Sequence, residues 1–68
     1  MELVVNGKKT ECNDGATVAD LLATLEVGAE TTGIAVAVND AVVPRSQWGA
    51  KELTRGDAVE IIHAVQGG

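Results

Sequence analysis

Only one segment of this chain spaces its apolar residues as a helix does, and extended segments flank it on both sides. In TVADLLATL, Val18, Leu21, Leu22 and Leu25 recur at intervals of three and four residues, whereas the flanking segments follow the period of two typical of strands. A single amphipathic helix can cover only one face of a sheet. The chain therefore predicts an α+β roll with one helix of about ten residues that buries Leu21, Leu22 and Leu25.

The ends of this helix carry recognisable signals. Thr17 precedes the apolar pattern, and Asp20 follows three residues later as a capping-box partner. Gly28 lies where a left-handed residue would end the helix. We therefore expect the helix to begin after Thr17 and to end before Gly28.

The extended segments form two groups, one on each side of the helix. Asn6-Gly7 predicts a hairpin of two strands at the start of the chain. After the helix, GIAVAVND predicts a strand and a turn, and AVVPRSQW a short strand whose Pro44 requires a strand end or a sheet edge. A turn over 55–57 then leads into a last strand from Ala58 to about Val65, so the order is β-β-α-β-β-β.

Alternation along the last strand indicates which face of the sheet the helix covers. Val59 and Ile61 point one way, and Glu60 points the other way with Ile62 and Ala64. Because a carboxylate is costly to bury without a partner, the helix should cover Val59 and Ile61. The opposite face is then open, and Ile62, Ala64, Val4 and the small Ala35 and Ala37 make it a candidate docking face.

Composition excludes several classes of function. The formal net charge is −5, the five Lys and Arg residues are scattered, and Trp48 is the one aromatic residue, so we expect no nucleic-acid partner. A single cysteine, Cys12, cannot form an internal disulfide, which favours a reducing compartment. With no signal peptide or apolar run long enough to span a bilayer, we expect a cytoplasmic protein that does not associate with membranes.

The residues do not predict an active site within the domain. A metal site needs several converging His, Cys or carboxylate ligands, and the chain has one His and one Cys. Cys12 on the second strand and His63 near the end of the last could form a catalytic pair only through close contact that nothing requires. We interpret Cys12 as a small core or edge residue and His63 as a half-exposed strand residue. The chain should therefore act with a partner.

The chain ends in Gln66-Gly67-Gly68, which predicts a flexible tail over 66–68 after a folded domain over 1–65. Glycine has no Cβ, so this backbone could enter a channel too narrow for other residues. The Gly68 carboxylate is ionised at neutral pH and unshielded by side chains. A terminal diglycine can also be a frayed end with no function.

Taken together, these segments resemble the ubiquitin-like β-grasp sulfur carriers, and within them the ThiS family. The resemblance covers the whole chain and depends on four segments, ELVVNG, TVADLLATL, AVAVNDAVVPRSQW and GDAVEIIHAVQGG, and on the short overall length. Within the third segment, VNDAVVPRSQW is the most specific part. It implies a β-grasp fold with a mixed sheet. It also implies that the terminal diglycine is the functional part.

The resemblance implies a carrier that works on partner enzymes and is not itself an enzyme. A ThiF-like adenylating enzyme would use ATP and magnesium to activate the Gly68 carboxylate, and a cysteine-derived sulfur donor would convert it to a thiocarboxylate. A ThiG-like thiazole synthase would accept the sulfur for thiamine biosynthesis. The carrier itself would bind no cofactor. Gln66, Gly67 and Gly68 would enter the partners' clefts, while Ile62, Ala64 and Val4 dock outside.

Three other functions stay open. The small subunit of molybdopterin synthase also resembles a β-grasp domain ending in Gly-Gly, but members of that family often carry prolines before the tail, and IIHAVQGG has none. A ubiquitin-like protein modifier would join the same carboxyl to lysine and accumulate as larger conjugates. A plain interaction module would be unaffected by deletion of Gly67 and Gly68.

Overall fold

Short strands and helices make up the regular structure of the described residues. The computed structural model describes residues 1–25 and 33–63. In chain order the elements are β1 (Glu2–Val5), β2 (Lys8–Glu11), α1 (Val18–Thr24), β3 (Ile34–Val38), β4 (Ala41–Val43), a 3₁₀ helix (Arg45–Gln47) and β5 (Ala58–His63). This sequence of elements confirms the predicted β-β-α-β-β-β order.

Both hairpins turn through two residues with positive φ, as type I′ turns require. Asn6 and Gly7 have φ of +50° and +82°, and Asn39 and Asp40 have +50° and +68°. Glycine adopts this region because it lacks Cβ, and Asn and Asp tolerate it because their short side chains bond locally. The predicted turns at Asn6-Gly7 and Asn39-Asp40 are confirmed.

The strands form one mixed sheet in the order β2-β1-β5-β3-β4. The last strand, β5, occupies the centre, parallel to β1 and antiparallel to β3. This confirms that the adjacent Ile61 and Ile62 belong to a strand in the middle of the sheet. Its described part ends at His63, and Val65, the predicted end, lies outside the described residues.

The short edge strand β4 ends at Val43, directly before Pro44, which therefore lies at a strand end as predicted. Proline lacks a backbone N–H, so it cannot extend the ladder. The chain then makes the 3₁₀ helix and buries Trp48, whose indole N–H donates to the Val43 carbonyl at 2.9 Å. The Arg45 guanidinium lies 4.8 Å from the centre of the Trp48 ring, within cation–π distance.

The predicted capping box at the start of α1 is present. The Thr17 side chain accepts from the Asp20 backbone N–H, and the Asp20 carboxylate accepts from the Thr17 N–H. The N–H groups of Val18 and Ala19 donate to the carbonyls of Lys51 and Trp48. The start of the helix therefore has its amide groups satisfied within the chain and is tied to the segment before β5.

The helix is shorter than predicted. It ends at Thr24 after seven residues, and Leu25 is its C-cap and 37% exposed. The prediction that Leu25 lies in the buried stripe is therefore wrong, because the C-cap lies at the margin of the core, where Leu25 lines an open cavity with Val5 and Ile61. Leu21 and Leu22 are buried as predicted. Gly28 lies outside the described residues.

The core fills the space between α1 and one face of the sheet. Its buried members are Leu3, Val5, Val18, Leu21, Leu22, Val36, Val38, Val43, Trp48, Leu53, Val59 and Ile61. Val59 and Ile61 are buried beneath the helix, as the exposed Glu60 between them predicted. Aliphatic side chains from all elements except β2 and the 3₁₀ helix thus contribute to one core.

Two turn asparagines anchor β5 through their side-chain amides. The Asn6 side chain accepts from the Ile61 N–H at 2.8 Å and donates to the Ile61 carbonyl at 3.3 Å. The Asn39 side chain accepts from the Ala58 N–H at 2.9 Å. The first residue of each hairpin turn, just past the end of β1 or β3, therefore hydrogen-bonds to the central strand β5 through its side chain.

A buried carboxylate completes the anchor at the start of β5. Asp57 is 9% exposed and accepts from the Thr54 N–H at 2.8 Å, the Thr54 hydroxyl at 2.9 Å and the Asn39 amide at 3.0 Å. Burial by itself would raise the pKa of this carboxyl, but these hydrogen bonds and the charge of Lys51 outweigh it and hold the pKa below its ordinary value of 3.8. The ionised carboxylate is therefore the stabilising form.

We predict that Asp57→Asn lowers the free energy of unfolding by about 1–3 kcal/mol at pH 7, because it weakens charge-assisted hydrogen bonds. Since the pKa is depressed in the folded state, this contribution is present above the ordinary value of 3.8 and is lost as the pH falls through the folded pKa. The difference between wild type and variant should shrink in acid. Urea unfolding followed by Trp48 fluorescence measures it.

The matched control is Asp40→Asn, because Asp40 is exposed and its carboxylate makes no hydrogen bond to a described residue. We expect it to change the free energy of unfolding by less than about 0.5 kcal/mol at every pH. An Asp57→Asn difference that stays constant down to pH 2 would contradict the assigned pKa direction.

Candidate functional site

The sheet face opposite the helix is assembled from residues of all five strands, because directly paired residues point to the same side. Ile62 on β5 pairs with Ala35 on β3, and Glu60 pairs with Ala37. Ala37 in turn pairs with Val42 on β4. These pairs form two neighbouring rows on the open face.

Four apolar side chains in these rows form an exposed surface, which we call the open-face patch: Ala35, Ala37, Val42 and Ile62. Ile62 is 52% exposed and Val42 is 74% exposed, and both are large aliphatic side chains. Such residues are ordinary when single, but two on one face beside small alanines form a continuous apolar area.

Sequence reasoning found Ile62 for this site and missed Val42. The signal was present, because Val43 precedes Pro44 and faces the core, so Val42 must face the other way. The hairpin register then brings Val42 opposite Ala37. Alternation alone could assign the face, but only the pairing of β3 with β5 shows that Val42 and Ile62 share one surface.

The other predicted docking residues have different positions. Val4 is half-buried on β1, where it pairs with Ala58 of β5 on the open face. It therefore lies on the same face as Ile62 but outside the open-face patch. Ala64 lies outside the described residues, as do Gln66, Gly67 and Gly68.

The chain leads into its terminal residues from the central strand. His63 is the last residue of β5, is exposed, and pairs with Ile34 at the start of β3. Hydrogen bonds to β1 and β3 support β5 from both sides, and Asn6 reinforces it at Ile61. Because β1 pairs with β5 at Ala58 and Val59, the support near the end of β5 comes from the pairing of His63 with Ile34 and from the Asn6 side chain at Ile61.

Cys12 and His63 line different cavities, and no hydrogen bond joins these two described residues. Cys12 follows the end of β2 rather than lying on it, and its N–H donates to the Met1 carbonyl at 3.0 Å. Burial raises the pKa of the Cys12 thiol, which disfavours the nucleophilic thiolate. Across residues 1–25 and 33–63 we found no group of three or more His, Cys, Asp or Glu side chains that could hold a metal ion.

No helix among the described residues has the length and apolar character needed to cross a membrane. The helix α1 has seven residues, against the roughly 20 that a transmembrane helix requires.

A mixed five-stranded sheet with the last strand at its centre and one helix packed across one face defines a ubiquitin-like β-grasp protein. The family model described as "ThiS family" matches residues 2–68. The chain belongs to the ThiS family of sulfur carrier proteins, which are carriers and not enzymes.

Known proteins support this membership over the full length of the chain. The sulfur carrier protein ThiS of Escherichia coli K12 is 32% identical over 68 residues, with both chains fully covered. The crystal structure of the thiamine biosynthesis protein ThiS from Geobacter metallireducens superposes with a TM-score of 0.84 at 34% identity, again with both chains fully covered. A thiazole synthase of Paramagnetospirillum magneticum is 34% identical over the whole chain, which spans 20% of that longer protein.

The adjacent isoleucines of β5 provide a test of the assigned faces. We predict that Ile61→Asp unfolds the domain or lowers its stability by about 3 kcal/mol or more, because Ile61 is 7% exposed in the core. Ile62→Asp should cost less than about 1 kcal/mol, because Ile62 is 52% exposed. Urea unfolding with Trp48 fluorescence gives both values, and equal losses would contradict the assignment.

Proposed function

We propose that this chain carries sulfur as a thiocarboxylate on Gly68 and donates it for thiazole formation in thiamine biosynthesis. The observation that supports this most is the match to the ThiS family through residue 68, together with full-length similarity to a sulfur carrier protein. In this proposal residues 1–65 form the folded domain and residues 66–68 a tail that partner enzymes act on.

The proposed chemistry starts from the poor reactivity of a carboxylate. An adenylating enzyme of the ThiF type binds ATP and magnesium, and a Gly68 carboxylate oxygen attacks the α-phosphorus and displaces pyrophosphate. A cysteine-derived sulfur nucleophile then displaces AMP from the acyl-adenylate and leaves a thiocarboxylate. This chain supplies the carboxyl group and the recognition surface, and the partner supplies the phosphate and metal sites.

We further propose that thiazole synthase is the partner that takes the sulfur. The similarity of this chain to part of a protein named thiazole synthase supports an association between the two, because a fused domain places carrier and acceptor in one molecule. Ile62, Ala64 and Val4 dock on the partner surface in this proposal. Gln66, Gly67 and Gly68 enter the narrow cleft.

The test is the intact mass of the protein after incubation with a ThiF-type adenylating enzyme, ATP, magnesium and a sulfide source. We expect exchange of one oxygen for one sulfur in the full chain. Deletion of Gly68 should abolish the exchange and leave folding unchanged. The enzyme's own carrier serves as the positive control, and an unchanged mass beside an active control would refute the proposal.

A second variant tests whether the tail enters a narrow channel. Gly67→Val adds side-chain atoms where the proposal requires bare backbone, so we expect at least a hundredfold slower adenylation. Gln66→Ala shortens the neighbouring side chain and serves as the matched control, with a rate within a few-fold of wild type. If Gly67→Val is adenylated at the wild-type rate, the proposal that the tail enters a narrow channel is wrong.

A further inference from the structure

An unpaired carboxylate lies in the centre of the open face. Glu60 is exposed on β5, between Ala58 and Ile62 along the strand and opposite Ala37 across it. Its carboxylate makes no hydrogen bond or ion pair with any other residue of the described ranges. Lys9 faces the same side but lies on β2, beyond β1.

The surroundings of Glu60 make this charge costly to cover. The open-face patch borders it through Ala37, Val42 and Ile62, none of which can accept or donate a hydrogen bond from its side chain. A protein that docks on the patch removes water from the carboxylate as well. Burying an ionised group without a partner is strongly unfavourable, whereas a paired charge fixes orientation and favours the correct partner.

The position of Glu60 relative to the chain end restricts which protein covers it. Glu60 lies three residues before His63, and the five residues from 64 to 68 span at most about 18 Å when fully extended. Gly68 must reach the α-phosphorus of ATP in the proposed function. The surface that surrounds the ATP cleft of the adenylating enzyme therefore lies within this distance of the end of β5.

We infer, on the basis of the proposed function, that Glu60 pairs with an arginine or lysine side chain of the adenylating enzyme while the open-face patch packs around the pair. Charge complementarity supports this partner chemistry, because the carrier has a formal net charge of −5 and its central exposed carboxylate has no partner among residues 1–25 and 33–63. Ile62 and Val42 supply the apolar contact, and Glu60 supplies specificity.

ATP–pyrophosphate exchange by a ThiF-type enzyme tests this inference, with the full chain as the varied substrate. Glu60→Gln removes the charge at nearly constant shape, so the KM for the carrier should rise about tenfold with kcat unchanged. Glu60→Lys should raise KM about a hundredfold. The increase of KM with NaCl should be steeper for wild type than for Glu60→Gln, because screening weakens an ion pair.

The matched control is Glu52→Gln, which removes an exposed carboxylate beside Thr17 at the start of α1. Its KM should stay within twofold of wild type, and all variants should keep the wild-type urea midpoint. If the wild-type carrier is active and both Glu60 variants have the same KM as wild type, the inference is wrong and the proposed function is unaffected. Absence of exchange with wild type, beside an active control carrier, would refute the proposed function and this inference together.

Discussion

The architecture depends on how the last strand is held at the centre of the sheet. β5 bonds to β1 on one side and to β3 on the other, and the amides of Asn6 and Asn39 bond to it at Ile61 and Ala58. Each hairpin turn thus contributes a side chain to the strand that follows it much later in the chain. Loss of β5 would separate the two hairpins and uncover the core.

This arrangement leaves the face of the sheet opposite α1 exposed. The described residues form a five-stranded sheet whose open face carries an exposed apolar patch and a carboxylate, and the last described element, β5, is at its centre. Cys12, half-buried with a raised pKa, suits a packing role. An exposed face of this kind is consistent with the carrier role of the ThiS family.

The two faces of the sheet place their apolar residues in different environments. Ile61 and Ile62 are neighbours of the same type, yet one is in the core and the other is exposed. The free energy of folding comes from the helix-covered face, where aliphatic side chains leave water. Substitutions that change the charge or shape of the open face therefore cost little free energy of unfolding.

Sequence alone determined the order of the elements, the two turns, the capping box and which face of β5 is buried, because these depend on local spacing and backbone preference. The prediction that Leu25 is buried was wrong, because the end of a helix depends on how the helix packs. Sequence reasoning missed Val42 because a shared surface requires the pairing of β4 with β3 and of β3 with β5. Only the tertiary structure could decide that Val42 meets Glu60 and Ile62 on one face, since strand order is a nonlocal property of the fold.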